Sequence, residues 1–370
     1  MTDVRTHKSR SARIERSLAE LPDTETLAAG LESVLEDKHP GRVSIVNRKP
    51  MVPFMTFPSE IVTCRLARGD ELKLFCKYES GRYHNAYGHR GGLAYEAEVY
   101  RRVLQPLRKT TPTCFGAWKD PVTGDTWLVL EYLEDSRLLR DVRLDLSAES
   151  QPTEIGLAAR WIGRFHAAIA KKPAKQGLAF LNHYGAGYYL GWARRTCEFA
   201  GELHQHFPWL ARLCQRAEEI LAPLSAAPPT VIHGEYYQNN ILIRERIVYP
   251  TDWESAAIAP GEIDLAALTD GPWAADIVQQ CKQEYQRARW PTGAPGEFEP
   301  RLAAARLYLH FRWLGERHEW TRRKDSRWRF AELRRAADEM GIINTTGQGR
   351  PERSRIAPGP RAMQRTRRVY

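Results

Sequence analysis

The chain has 370 residues, 42% hydrophobic and 27% charged, with a formal charge of +10, which suits one bilobal domain or two modest ones in an ordinary globular protein. No apolar run approaches the roughly 18 residues of a membrane helix, so a membrane partner is not expected. The charge would invite nucleic acid, but seven arginines against one acid lie between Asn344 and Tyr370, which is +6 of the +10.

In chain order, the first residues, Met1-Thr2-Asp3-Val4-Arg5, lack the basic-then-apolar order of a signal peptide. Residues 1–40 are polar and read as a partly flexible N-terminal arm, with one helical pattern through Leu18, Leu21, Leu27, Leu31, Val34 and Leu35. The runs Ile61–Leu66 and Glu71–Lys77 alternate, with Arg68-Gly69-Asp70 between them, and predict a hairpin. Ser80 to Gly92 is polar and glycine-rich, hence a loop, and a helix follows from Tyr95 to Leu104, stopped by Pro106. Thr126–Leu133 is a further strand. The spacing of Ile155, Ala158, Trp161, Ile162, Phe165 and Ile169 predicts an amphipathic helix, and Gly187 to Leu224 is helical in pieces up to Pro228-Pro229. Val231-Ile232 is a short strand, Ile241–Ile243 and Ile247–Tyr249 a second hairpin, and Leu302 to Trp313 opens the closing helices. The expected class is therefore α+β and bilobal: a β-rich first lobe over 41–133, a mostly helical second lobe over 134–343, and a basic, disordered tail over 344–370. The tail is either a weak polyanion binder or a solvated terminus, and nucleic acid is not the expected partner. The six cysteines are scattered without a CxxC pair, which points to a reduced, cytoplasmic protein.

Chemistry concentrates in Val231 to Leu242 and in Asp252-Trp253-Glu254. His233-Gly234-Glu235 leaves a buried strand at a glycine and so presents a carboxylate on a loop. Five residues on stands Asn240, followed by a hairpin that returns the chain, so Asn240 and Asp252 should lie side by side. An amide oxygen beside a carboxylate is a hard-oxygen pair suited to Mg²⁺. Phosphoryl transfer needs such a metal site and a nearby carboxylate, here Glu235, to take the acceptor's proton. Lys77 ends an alternating strand, where the kinase pattern places the lysine that grips nucleotide phosphates; an exposed strand-end lysine is the plain alternative. Of two candidate partners for it, Glu96 extends the stripe of Val99, Val103 and Leu107 and Glu98 points away, so Glu96 is the choice.

The order Lys77, Glu96, Glu131-Tyr132-Leu133, the run Leu157–His166, His-Gly-Glu-x4-Asn240, Asp252-Trp-Glu254 and Ile-Asp-Leu-Ala266 resembles the aminoglycoside phosphotransferase and choline kinase branch of the protein-kinase-like fold, over roughly Phe57 to Trp320. The resemblance implies ATP, or GTP, held with Mg²⁺ between the lobes, with Glu131 to Leu133 as the hinge at the base. It also implies that Asp264 buttresses the catalytic loop through His233; capping the helix Leu265–Leu268 is an equal alternative. The sequence departs from the family twice. Glu235 stands where aspartate is usual, and the nucleotide loop Met55–Glu60 has no glycine, leaving Ser59 as either a hydroxyl donor to phosphate or an ordinary turn serine.

Only eleven residues separate Asp252 from Asp264, too few for the activation segment that holds a protein substrate. The expected acceptor is a hydroxyl of a small molecule, an amino-sugar, amino-alcohol or similar, held by the helical insert Lys171 to Pro229 and the C-terminal helices. Eight of the eleven tryptophans lie from Trp192 onward and serve either cation–π binding or core packing. Glu254 and Glu262 either favour a cationic or polyhydroxyl acceptor or are simply solvated. The alternative is a catalytically silent nucleotide-binding pseudokinase with a regulatory role.

Overall fold

The computed structural model describes residues 20–51, 56–80, 86–107, 110–142, 152–170, 177–271 and 273–343. The basic tail, part of the nucleotide loop, the beginning of the 80–92 loop and the first residues of the helical insert lie outside the described residues.

Leu27 to Leu35 of the expected helical pattern form α1 (Thr24–Leu35), with Leu21 before it and Leu18 outside the described residues; Asp23 starts the helix, its carboxylate accepting from the Thr26 N–H. Strands β1 (Ser44–Pro50), β2 (Ser59–Arg65), β3 (Glu71–Tyr78), β4 (Cys114–Lys119) and β5 (Thr126–Glu131) make an antiparallel sheet in the order β1-β2-β3-β5-β4. Strand alternation divides its faces. Leu74, Cys76, Tyr78, Trp127 and Val129 pack with Leu27, Leu31 and Leu35 of α1 on one side. Phe75, Leu128 and Leu130 face the other way, toward α2 (Gly92–Val99) and the second lobe. Lys77 has the parity of Phe75 and therefore lies on that inner face. Burying each α1 leucine contributes roughly 1.5–3 kcal/mol, so the helix is fixed to the sheet. The helix predicted to reach Leu104 changes to a π turn over Tyr100–Leu104 and a 3₁₀ turn over Gln105–Leu107, because Pro106 has no N–H for a regular turn.

The second lobe contains β6 (Arg137–Leu138), α3 (Glu154–Ala170), β7 (Asn182–His183), α4 (Ala186–Ala200), α5 (Trp209–Gln215), α6 (Ala217–Ser225), β8 (Thr230–Ile232), β9 (Ile241–Arg244), β10 (Ile247–Pro250), β11 (Ala257–Ala259), α7 (Glu262–Leu268), α8 (Ala275–Arg289), α9 (Phe298–Gly315), α10 (His318–Thr321) and α11 (Arg327–Glu339). Two small sheets, β10-β9-β6 and β7-β11-β8, carry the loops between them. No helix among the described residues is long and apolar enough to cross a membrane. The whole is the mixed α+β, protein-kinase-like arrangement of a sheet lobe over a helical lobe.

Candidate active site

The 233–240 loop leaves β8 at His233 and enters β9 at Ile241, and the hairpin returns through β10, where Pro250 pairs with Ile241. The Thr251 N–H then donates to the Asn240 carbonyl at 2.9 Å, which places Asn240 and Asp252 at the same open end. Asn240 donates through Nδ2 to the Glu235 carbonyl at 2.9 Å, which turns its amide oxygen to the other side. Asp252 sits at φ 67°, ψ 61°, a left-handed backbone costly for a branched side chain and tolerated by aspartate. Trp253 is fully buried against Phe165 and His233, so it anchors the loop and leaves the carboxylates on either side of it to the cleft.

Three supports hold the 233–240 loop. Asp264, fully buried, accepts from the backbone N–H groups of His233 (2.7 Å) and Gly234 (2.9 Å). It also lies 3.2 Å from Nε2 of His166. The buttress thus works through main-chain amides and not the His233 imidazole, and Asp264 lies in the first turn of α7 without capping it. His233 instead lies 2.8 Å through Nε2 from the Thr251 carbonyl, and the Glu235 N–H donates to its Nδ1, so the ring ties this loop to the approach to Asp252. Burial pushes both histidines down and keeps them neutral. Gly234, at φ +84°, passes so close beneath the neighbouring loop that a Cβ there would lie 2.0 Å from the Ser255 carbonyl oxygen. Only glycine fits both demands.

Across the cleft, Lys77 meets both oxygens of Glu96 at 3.2 and 2.9 Å and Oδ1 of Asp252 at 2.8 Å. Glu96 has no exposed surface, and burial raises its carboxyl despite the ammonium beside it. Glu98 turns outward to Arg101 and Arg102. Ser59 pairs in register with Lys77 at the start of β2, so its position is at the same sheet end. A cleft runs from Lys77 and Thr251 to Leu133, with Phe75 and Leu130 on one side and Leu242 on the other. Glu131 uses its carboxylate on the N–H and hydroxyl of Thr113 and its own N–H on the Thr113 carbonyl, which leaves its main-chain carbonyl for a ligand.

Glu235 is buried and ringed by cations that the motif analysis did not anticipate. Its Oε1 lies 3.2 Å from Nη2 of Arg90, 3.2 Å from Nη2 of Arg312 and 3.3 Å from Nε2 of His89. Burial alone would raise the carboxyl, but Arg90 and Arg312 outweigh it and hold it well below the ordinary value. His89 is pushed down to about 4 by burial and then by Arg312. It stays neutral, with Nδ1 2.9 Å from the Tyr188 hydroxyl. Glu254, 3.3 Å from Arg90, is pushed well up by burial and by Asp252. Glu316 closes the network on both arginines. Nothing local marks these partners: Arg90 precedes a helix, and Arg312 sits within the apolar α9 with only its i,i+4 glutamate as a sign. Glu262, by contrast, is buried on Arg289 and so is taken up by an ion pair of its own.

Asp252, Glu235 and Glu254 offer oxygens within 4.8 Å of one another. Glu235 and Glu254 face Arg90, so Asp252 with the Asn240 amide is the hard-oxygen pair that fits a divalent cation. Lys77, the apolar-walled cleft and the hinge fit a nucleotide.

Fold and site define a phosphotransferase of the kinase-like class. Residues 89–313, more than half of the chain, match the model of the phosphotransferase enzyme family known as APH, and the chain belongs to that family. Among solved structures, the GDP complex of aminoglycoside 2'-phosphotransferase-IIIa is similar with TM-score 0.58 and 11% identity, covering 86% of this chain and 100% of the other. Choline kinase LicA from Streptococcus pneumoniae gives 0.53 and 11%, covering 85% and 98%. A choline/ethanolamine kinase family protein from Mesorhizobium loti gives 0.51 and 16%, covering 87% and 95%. No curated protein matches the sequence.

Proposed function

We propose that this phosphotransferase moves the γ-phosphate of ATP, or GTP, onto a hydroxyl of a small molecule such as an amino-sugar or amino-alcohol, in the cytoplasm and with Mg²⁺. The observation that carries the reading is the Glu96–Lys77–Asp252 chain across the cleft beside Glu235. In this reading the phosphates enter between Lys77 and Asp252, and Ser59 adds a hydroxyl from the sheet end. The main chain of Glu131 to Leu133 receives the base. Asp252 and the Asn240 amide oxygen hold the metal, which neutralises phosphate oxygens. Glu235, held ionised, accepts a hydrogen bond from the acceptor hydroxyl and aims its oxygen at phosphorus. A carboxylate held so far below its ordinary value is a weak base, and a loose transition state asks for orientation more than for proton removal. Asp264 and His233 keep the loop in place.

The test is transfer of label from γ-labelled ATP and GTP to a library of hydroxylated amines, sugars and amino acids, with Mg²⁺. A labelled product supports the reading, and its absence across the library refutes it. The saturation of Glu235 by two arginines favours the second reading, a silent nucleotide-binding pseudokinase, which predicts tight nucleotide binding with no labelled product.

A further inference from the structure

Tyr237, two residues beyond Glu235, joins that carboxylate to an aromatic wall of the second lobe. The Tyr237 hydroxyl accepts from Nε1 of Trp313 at 2.8 Å and from Nη2 of Arg312 at 3.1 Å, and the same Nη2 lies 3.2 Å from Glu235. Trp313 in turn stacks on Trp320, with ring centres 6.5 Å apart and planes inclined by 26°. Both indoles are half-buried. An acceptor that reaches Glu235 from the C-terminal helices meets these rings.

Aromatic faces suit a cationic acceptor, but guanidinium groups of the chain itself already lie on them. Arg312 is 4.8 Å and Arg329 4.7 Å from the Trp313 ring centre, and Arg317 is 4.8 Å from that of Trp320. The carboxylates of this corner are taken in the same way. Glu316 meets Arg90 and Arg312, Glu254 meets Arg90, and Asp270 meets Arg329. An amine entering here would find its seats occupied.

What is left over is positive. Arg90, Arg312 and Arg317 stand against Glu235, Glu316 and Glu254, and burial followed by the Asp252 charge pushes Glu254 well up, toward its neutral form. Arg317 follows Glu316 directly and is partly exposed. Among the described residues its guanidinium enters no ion pair, and its Nε completes no hydrogen bond.

We propose that the acceptor carries an acidic group, a carboxylate or a phosphate, beside the hydroxyl it offers to Glu235, and that Arg317 receives that group. This rests on the phosphotransferase reading above and narrows its acceptor. A guanidinium fork takes two oxygens of either group side by side, and the Trp320 face behind it holds the fork flat. Arg317 is in these terms a specificity-determining residue with no part in the chemical step.

The label-transfer library tests this when it is read in matched pairs: serine against ethanolamine, gluconate against glucosamine, and glycerol 3-phosphate against glycerol. Label should go to acidic members, with kcat/KM higher than for their partners by about tenfold or more, the worth of one charged hydrogen bond. Label that favours the members without an acidic group overturns the proposal and leaves the phosphotransferase reading standing. No label on any member refutes that reading and the proposal with it. With the acidic acceptor found, Arg317→Gln should raise its KM by about tenfold or more at unchanged kcat and nucleotide affinity, and Arg317→Lys should recover part of the loss. An unchanged KM in Arg317→Gln, or a fall confined to kcat, overturns the assignment of Arg317.

Discussion

Replacing Glu235 by glutamine keeps the side chain's length and removes its charge, and the structure sets the consequences on two scales. The first is stability. Arg90 and Arg312 are balanced by Glu235 and Glu316, because burial and Asp252 push the third carboxyl, Glu254, well up. Breaking a buried pair costs about 3–5 kcal/mol. Here Glu254 stands 3.3 Å from Arg90, and the charge of Glu235 is one cause of its upward shift. In the variant Glu254 ionises more readily and takes over part of the balance, so the low end, about 3 kcal/mol, is expected. Glu235 has a depressed folded pKa, so its contribution is complete above the unfolded carboxylate value, about 4.3, and is lost as pH falls through the folded value. The difference in urea midpoint between wild type and variant should therefore be constant across neutral and alkaline pH and shrink only in acid. The second scale is rate. General-base contributions are about 10²- to 10⁴-fold, and the weak basicity of Glu235 places the expected loss near 10², with nucleotide affinity barely changed. Steady-state rates with the acceptor identified by label transfer, and calorimetric nucleotide titration, measure the two. Unchanged turnover in Glu235→Gln refutes the assignment. So does an acid limb of the wild-type kcat/KM profile near neutrality that the variant lacks, since it would mean Glu235 titrates there. Glu235→Asp withdraws the carboxylate from Arg90 and Arg312 and should be slower than wild type; a faster variant would mark a decayed site.

Lys77→Ala removes the cation shared by Glu96 and Asp252 and should lower nucleotide-dependent turnover by about 10²-fold or more with the fold intact; near wild-type rates would dismiss the phosphate role. Asp252→Asn should abolish the Mg²⁺ dependence of turnover more completely than Asn240→Asp, because the first deletes an anionic ligand and the second keeps an oxygen; equal, mild losses in a Mg²⁺ titration would rule out coordination there. Gly234→Ala forces a Cβ to 2.0 Å from the Ser255 carbonyl at φ +84° and should cost about 3 kcal/mol; a thermal midpoint unchanged from wild type would show that the two loops separate freely.

The parts of the molecule written in local pattern were legible beforehand. Alternation in 71–77 put Lys77 on the face of Phe75, the apolar stripe of the following helix chose Glu96 over Glu98, and the hairpin length brought Asn240 beside Asp252. Strands β1 and β4 went unannounced because neither alternates cleanly: β1 is half-exposed throughout, and β4 carries a register shift between Cys114 and Gly116. The cations around Glu235 were illegible for a different reason. Arg90 meets Glu235 across 145 residues and Glu316 across 226, and no periodicity links such positions. The same blindness left Glu262 either to an acceptor or to solvent, when Arg289, on a later helix, takes it up in the interior.

The contacts of α2 with the second lobe decide which parts of the protein travel together. The Gly91 N–H bonds the Glu254 carbonyl, the Tyr95 hydroxyl donates to the Ala256 carbonyl, and the Trp253 N–H donates to Glu96. The helix belongs to the first lobe by sequence but is stitched to the second by three bonds around a single loop. Glu96 on the same helix also takes Lys77 of the sheet, and Leu93 and Val99 pack with Phe75, Leu128 and Leu130, so α2 is pinned to both lobes at once. An outward swing of that helix, the lever many kinases use, would have to break all of these contacts together.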